Sequence, residues 1–91
     1  MANNERLMLE MRWDKITAFM QENYKVTSIA KEVFLDPLII KKVEYSTVYL
    51  LVTENQPLGM VDLITKKYKE SIQNAVYDMT GCMYEIRISE M

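Results

Sequence analysis

The chain contains no histidine, one cysteine, two glycines, two prolines and one tryptophan in 91 residues. Without histidine there is no imidazole to act as a general base near pH 7, and no imidazole ligand for a metal. The lone Cys82 rules out an internal disulfide and fits a reducing compartment. It follows a predicted helix C-terminus, where the negative end of the dipole disfavours a thiolate, and no histidine could activate it. Gly59 and Gly81 stand too far apart for a G-x-x-x-x-G-K-[ST] phosphate loop or a G-x-x-G nucleic-acid clamp. The longest wholly apolar run, Val48 to Val52, is far shorter than a bilayer span. Glu5, Glu10 and Asp14 interrupt the N-terminal segment, which excludes a secretory signal. The formal charge of −2 argues against strong nucleic-acid binding through bulk electrostatics. We therefore expect a soluble, cytoplasmic protein with no membrane segment, no metal and no cofactor. The 13 carboxylates form no recognisable acid–base pair, so no enzyme is expected either.

What is present reads as one domain over residues 1–91, with its core over about 5–89. A chain of this length buries only roughly 60–65% of the surface it exposes unfolded. About half the residues are apolar, which suffices for one modest core. Leu9, Trp13, Ile16, Met20 and Tyr24 recur at helical spacing and predict a first helix capped by Asn3 or Asn4. Thr27 or Ser28 can cap a short second helix to about Phe34 or Leu35, with Ile29 and Val33 turned inward. Pro37 ends it, because the residue before a proline is pushed out of the α region.

Ile39 to Glu44 predicts a strand with Ile39, Lys41 and Val43 on one face. Glu44-Tyr45-Ser46 is a turn, and Thr47 to Thr53 a second strand. Val48 to Val52 is apolar on both faces, so this strand belongs inside the sheet. The loop Glu54 to Gly59 leads into a long helix whose stripe is Val61, Ile64, Tyr68, Ile72, Ala75 and Met79. Gly81 stops that helix by taking the left-handed conformation. The period then switches to two, with Tyr84, Ile86 and Ile88 alternating against Glu85, Arg87 and Ser89. The expected fold is α+β, order α-α-β-β-α-β, with helices packed on a three-stranded mixed sheet. The helical crossover makes strands two and three parallel if they are neighbours.

Five pieces of this sequence carry a family likeness. They are Trp13 with Ile16 and Met20; Phe34-Leu35-Asp36-Pro37-Leu38; Ser46 to Val52; Lys67-Tyr68-Lys69-Glu70-Ser71-Ile72; and Thr80 to Ile86. In this order and at nearly these spacings, they resemble the N-terminal domain (domain I) of the bacterial replication initiator DnaA, over about residues 9 to 89. The resemblance implies a KH-like fold and a non-catalytic adaptor of chromosomal replication initiation. It implies weak self-association through the first helix, with a tryptophan at the position of Trp13. It also implies recruitment of the replicative helicase and docking of initiation regulators on a face built by the second and third helices. Two positions differ: Gly59 stands where the family has an aromatic, and Ala30 where it has an acidic residue tied to helicase contact. A full initiator also carries an ATPase module and a DNA-binding module, so the chain reads as a piece of one or as a free-standing mimic that regulates one.

Trp13, with Leu9 and Ile16, is the expected self-association surface; read from the residues alone, the indole caps the core equally well. Phe34, Leu58, Met60 and Asp62 are the expected partner face, an apolar rim with one acid. Their bland alternative is core packing for Phe34 and a solvated loop for the rest. Lys66, Lys67 and Lys69, with Lys41 and Lys42, offer a different reading as a KH-like single-stranded nucleic-acid surface. The bland alternative there is a solvated face with a Lys66–Glu70 pair at i, i+4. Of the eight methionines, Met20 and Met79 fall on core stripes, and Met8, Met11 and Met60 are left as surface candidates.

Overall fold

A computed structural model describes residues 3–54 and 56–90. The expected cap at Asn3 falls outside the described side chains. Helix α1 spans Asn3–Asn23, and its Leu9, Trp13, Ile16 and Met20 are buried. A single turn of α2 (Ser28–Ala30) follows, capped by Thr27, whose Oγ1 accepts from Ala30 N at 3.1 Å. The chain then widens into a π-helical segment, Lys31–Leu35, closed by Asp36 N donating to Lys31 O at 2.8 Å. That wider turn rotates the inward face. Ala30 and Leu35 enter the core, while Ile29 is 71% and Val33 39% exposed. The expectation that Ile29 and Val33 point inward is thereby corrected, because an α-helical period does not survive a π turn.

Strands β1 (Ile39–Glu44) and β2 (Thr47–Val52) form an antiparallel hairpin. Its two-residue turn places Tyr45 at φ 51° and Ser46 at φ 59°, the backbone twist that matches flanking strands. The register slips between Ile40 and Lys42. This bulge corrects the expected face of β1: Ile40 and Val43 are buried and Ile39 is exposed, since an extra residue inverts the alternation. β2 lies at the centre of the order β1-β2-β3, and β3 (Glu85–Glu90) pairs with it in parallel.

The single long helix expected between β2 and β3 is two helices, α3 (Met60–Lys67) and α4 (Lys69–Thr80). The kink is at Tyr68, whose φ moves to −119°. Hydrogen bonds run through it, from Tyr68 N to Ile64 O and from Ile72 N to Tyr68 O, both 2.8 Å. The apolar stripe therefore continues, and Ile64, Tyr68, Ile72 and Ala75 stay buried. Gly81, at φ 78°, ends α4 and donates to Tyr77 O at 2.7 Å. The architecture is α+β, order α-α-β-β-α-α-β when α2 and the π segment count as one element, with the helices packed on one face of a three-stranded mixed sheet. No helix among the described residues is long and apolar enough to cross a membrane.

Candidate protein-contact face

The end of a π turn leaves carbonyls without partners in the segment, as at any helix C-terminus. Here Leu38 N donates to Leu35 O at 3.2 Å, and side chains from elsewhere add to it. Trp13 Nε1 donates to Leu35 O at 2.9 Å, and Gln56 Nε2 donates to Phe34 O at 3.0 Å. The Oε1 of Gln56 accepts from Thr53 N at 2.9 Å. Asp36, just beyond, accepts from the buried Thr17 hydroxyl at 2.7 Å and from Lys31 Nζ at 3.0 Å. Side chains of α1 and of the loop after β2 are thus tied to one short segment. Gln56 and Thr17 escaped the sequence reading. A single polar residue in a loop or on a helix stripe carries no periodic signal; their burial is what marks them.

This scaffold corrects the expected self-association surface. Trp13 is only 6% exposed, and Leu9 and Ile16 are fully buried. The enclosed indole has the partner its N–H requires, the Leu35 carbonyl. What α1 presents outward is Met11, 83% exposed, with Leu7 four residues before it.

The expected partner residues divide. Leu58 is 99% exposed, and Asp62 is exposed in the first turn of α3. Phe34 is half-buried, its ring 6.1 Å from that of Tyr68. Met60 is buried, which corrects its place both on the partner face and among surface methionines. As the first residue of α3 after the left-handed Gly59, it is turned into the core. Met83, unremarked in the sequence, is exposed instead. Leu58 and Met60 line one shallow pocket of about 150 Å³ with Val52, Gln56, Pro57 and Val61. Gln56 joins that loop to Phe34, and Ile29 and Val33 are exposed on the same short segment. Neither was legible there as a surface residue, because the π turn that exposes them has no sequence signature.

Of the candidate lysines, Lys42 and Lys69 are ion-paired and Lys67 lies against an aromatic ring. Lys69 Nζ lies 3.3 Å from Glu85, and Lys42 Nζ lies 3.3 Å from Glu44 and over the Tyr49 ring. Lys67 Nζ sits 5.6 Å from the Tyr68 ring centre. The expected Lys66–Glu70 pair is not among the ion pairs of the described residues; the kink at Tyr68 falls between the two. Two tyrosines are perturbed. Tyr24 donates to Asp78 at 2.6 Å, and that hydrogen bond raises its pKa. Tyr84, buried, donates to Glu5 at 2.6 Å; desolvation first, then this bond, pushes it up to about 12. Both bonds join distant elements. Among the described residues, no three or more Cys, Asp or Glu side chains gather as they would around a metal ion.

What the arrangement offers chemically is apolar contact on a braced backbone: exposed aliphatic side chains on a segment fixed by buried hydrogen bonds. Compared with known proteins, the chain matches no protein-family model and no curated protein.

Proposed function

We propose that this chain is a non-catalytic protein–protein interaction module of bacterial replication initiation, as its resemblance to DnaA domain I implies. In this reading it acts in the cytoplasm. It binds the replicative helicase or an initiation regulator through Leu58, Phe34, Asp62, Ile29 and Val33, and it self-associates weakly. The observation that carries the reading is the exposure of Leu58 and Ile29 beside a segment braced by Gln56 and Trp13. A large aliphatic side chain held in water by a braced backbone loses little entropy when a partner covers it. With Lys42 and Lys69 ion-paired, the lysines lend nucleic acid no comparable support.

The test pairs Leu58→Ser with Ile29→Ser. Both side chains stand in solvent, so the melting temperature should stay within a few degrees of the parent. Binding to purified replicative helicase, or to a full-length initiator, should weaken at least about tenfold. Binding that is unchanged in the double variant, or salt-sensitive binding to a single-stranded oligonucleotide in place of any protein contact, would overturn the reading.

A further inference from the structure

The sheet ends on an uncovered strand. In the order β1-β2-β3, β3 is an edge. Glu85 N donates to Ser46 O at 2.8 Å, so Glu85, Arg87 and Ser89 turn their backbone groups toward β2. By the two-residue period, Ile86, Ile88 and Glu90 turn N–H and C=O outward, along the free edge. The other edge strand, β1, carries a bulge, a device that discourages further pairing. β3 keeps six successive registers with β2 and has none. A groove of about 600 Å³ follows it, lined in part by Tyr49, Thr65, Lys69, Arg87 and Ser89.

We propose that β3 is the self-association edge. Two copies pair it antiparallel about a two-fold axis at Ile86 and join their sheets into one of six strands. Charge selects this occupant. Glu85 and Arg87 lie on the outer face, two residues apart and of opposite sign. With Ile86 opposite Ile86, each Glu85 stands directly across from Arg87 of the second copy, giving two ion pairs. On the inner face Tyr84 meets Ile88. A pairing centred on Arg87 would oppose like charges, and one centred on Ile88 would set Arg87 against Ser89 with no ion pair. Direct cross-strand opposition brings side chains closest and rewards opposite charge. Lys69 already reaches Glu85 Oε2 from the helix side, which leaves the other carboxylate oxygen for the second copy's guanidinium. One edge contact is small, so the dimer is weak.

This inference deepens the self-association part of the proposed function and rests on it; the partner face around Leu58 is a separate surface. Sedimentation from micromolar to millimolar concentration tests it. Glu85→Arg and Arg87→Glu should each weaken the dimer at least about tenfold, because both ion pairs become like-charge contacts. Mixed one to one, the two variants should associate with each other, since both cross-strand pairs between positions 85 and 87 of the heterodimer again join opposite charges. Ile88→Pro removes an edge donor that β2 does not use, so it should abolish the dimer while the domain still melts cooperatively. A dimer insensitive to these changes, or two charge variants that do not rescue each other, would overturn the edge. A dimer broken instead by Leu7→Ser with Met11→Ser would place self-association on α1, overturning the edge while the proposed function stands. A monomer at every concentration would overturn both the edge and self-association.

Discussion

Trp13 is where the residue scale decides most. Its side chain fills the space between α1 and the π segment, and its N–H donates to the Leu35 carbonyl, which also accepts from Leu38 N. Two readings compete for it. The stripe Leu9, Trp13, Ile16, Met20 points inward; the family resemblance points outward. The stripe prevails because burial of this side chain, together with its one hydrogen bond, is worth more to so small a core than an exposed indole is. Trp13→Ala should therefore cost about 3–5 kcal/mol of folding stability. Trp13→Phe should cost about 1–2 kcal/mol, through the lost indole hydrogen bond and the smaller ring, since Leu35 O still accepts from Leu38 N at 3.2 Å. Urea titration of both variants reads these directly. A Trp13→Ala chain with near-parent stability and lost self-association would reverse the assignment.

At the scale of elements, what the sequence displays is periodicity and punctuation. Thr27 as a cap, the Tyr45-Ser46 turn, the central place of β2 and the stop at Gly81 all follow from local chemistry, and all are present. Three irregular features are not legible there. The π turn and the β1 bulge each shift a face by one residue's worth of rotation, and the kink at Tyr68 divides a helix without shifting its stripe. The π turn and the kink meet partners distant in sequence, Trp13 and Gln56 at the one and Phe34 at the other, so no window of neighbouring residues contains those contacts. Gly81 provides a clean test of the legible kind. Its φ is 78°, and an added Cβ would meet no atom within 4 Å. Gly81→Ala should then cost only the left-handed backbone penalty, about 1–2 kcal/mol. For a domain of this size that lowers the melting temperature by roughly 4–8 °C per kcal/mol. No change in the melt would mean that α4 can end without the left-handed turn.

The whole molecule is held together by contacts that span the chain. Tyr84, just before β3, donates to Glu5 near the start of α1, 79 residues away. Its pKa is raised from an ordinary 10.0 to about 12 by burial and this bond. A group that holds its proton more tightly when folded contributes stability that is complete below the unfolded value and is lost as pH rises through the folded one. The domain should weaken progressively between about pH 10 and 12. Tyr24, raised by Asp78, acts in the same direction. In Tyr84→Phe the alkaline loss should be visibly shallower, though the variant starts from a lower stability near neutral pH. Denaturant midpoints measured across the alkaline range compare the two, and superimposable slopes would show that Tyr84 does not carry the effect.

The division of labour between sequence and fold has a physical basis. The sequence by itself determined the α+β class, the order of elements up to the division of the last helix at Tyr68, and a crossover that is parallel once β2 and β3 are neighbours, because hydrophobic period, caps and turn residues act over a few positions. It also singled out Leu58, an apolar residue in a polar loop. Only the tertiary structure decided which way Trp13, Met60, Ile29 and Val33 face, and that β3 is left at the open edge. Those outcomes depend on where unpaired carbonyls and strand edges fall once distant segments meet, and an unpaired backbone group exists only in a folded chain.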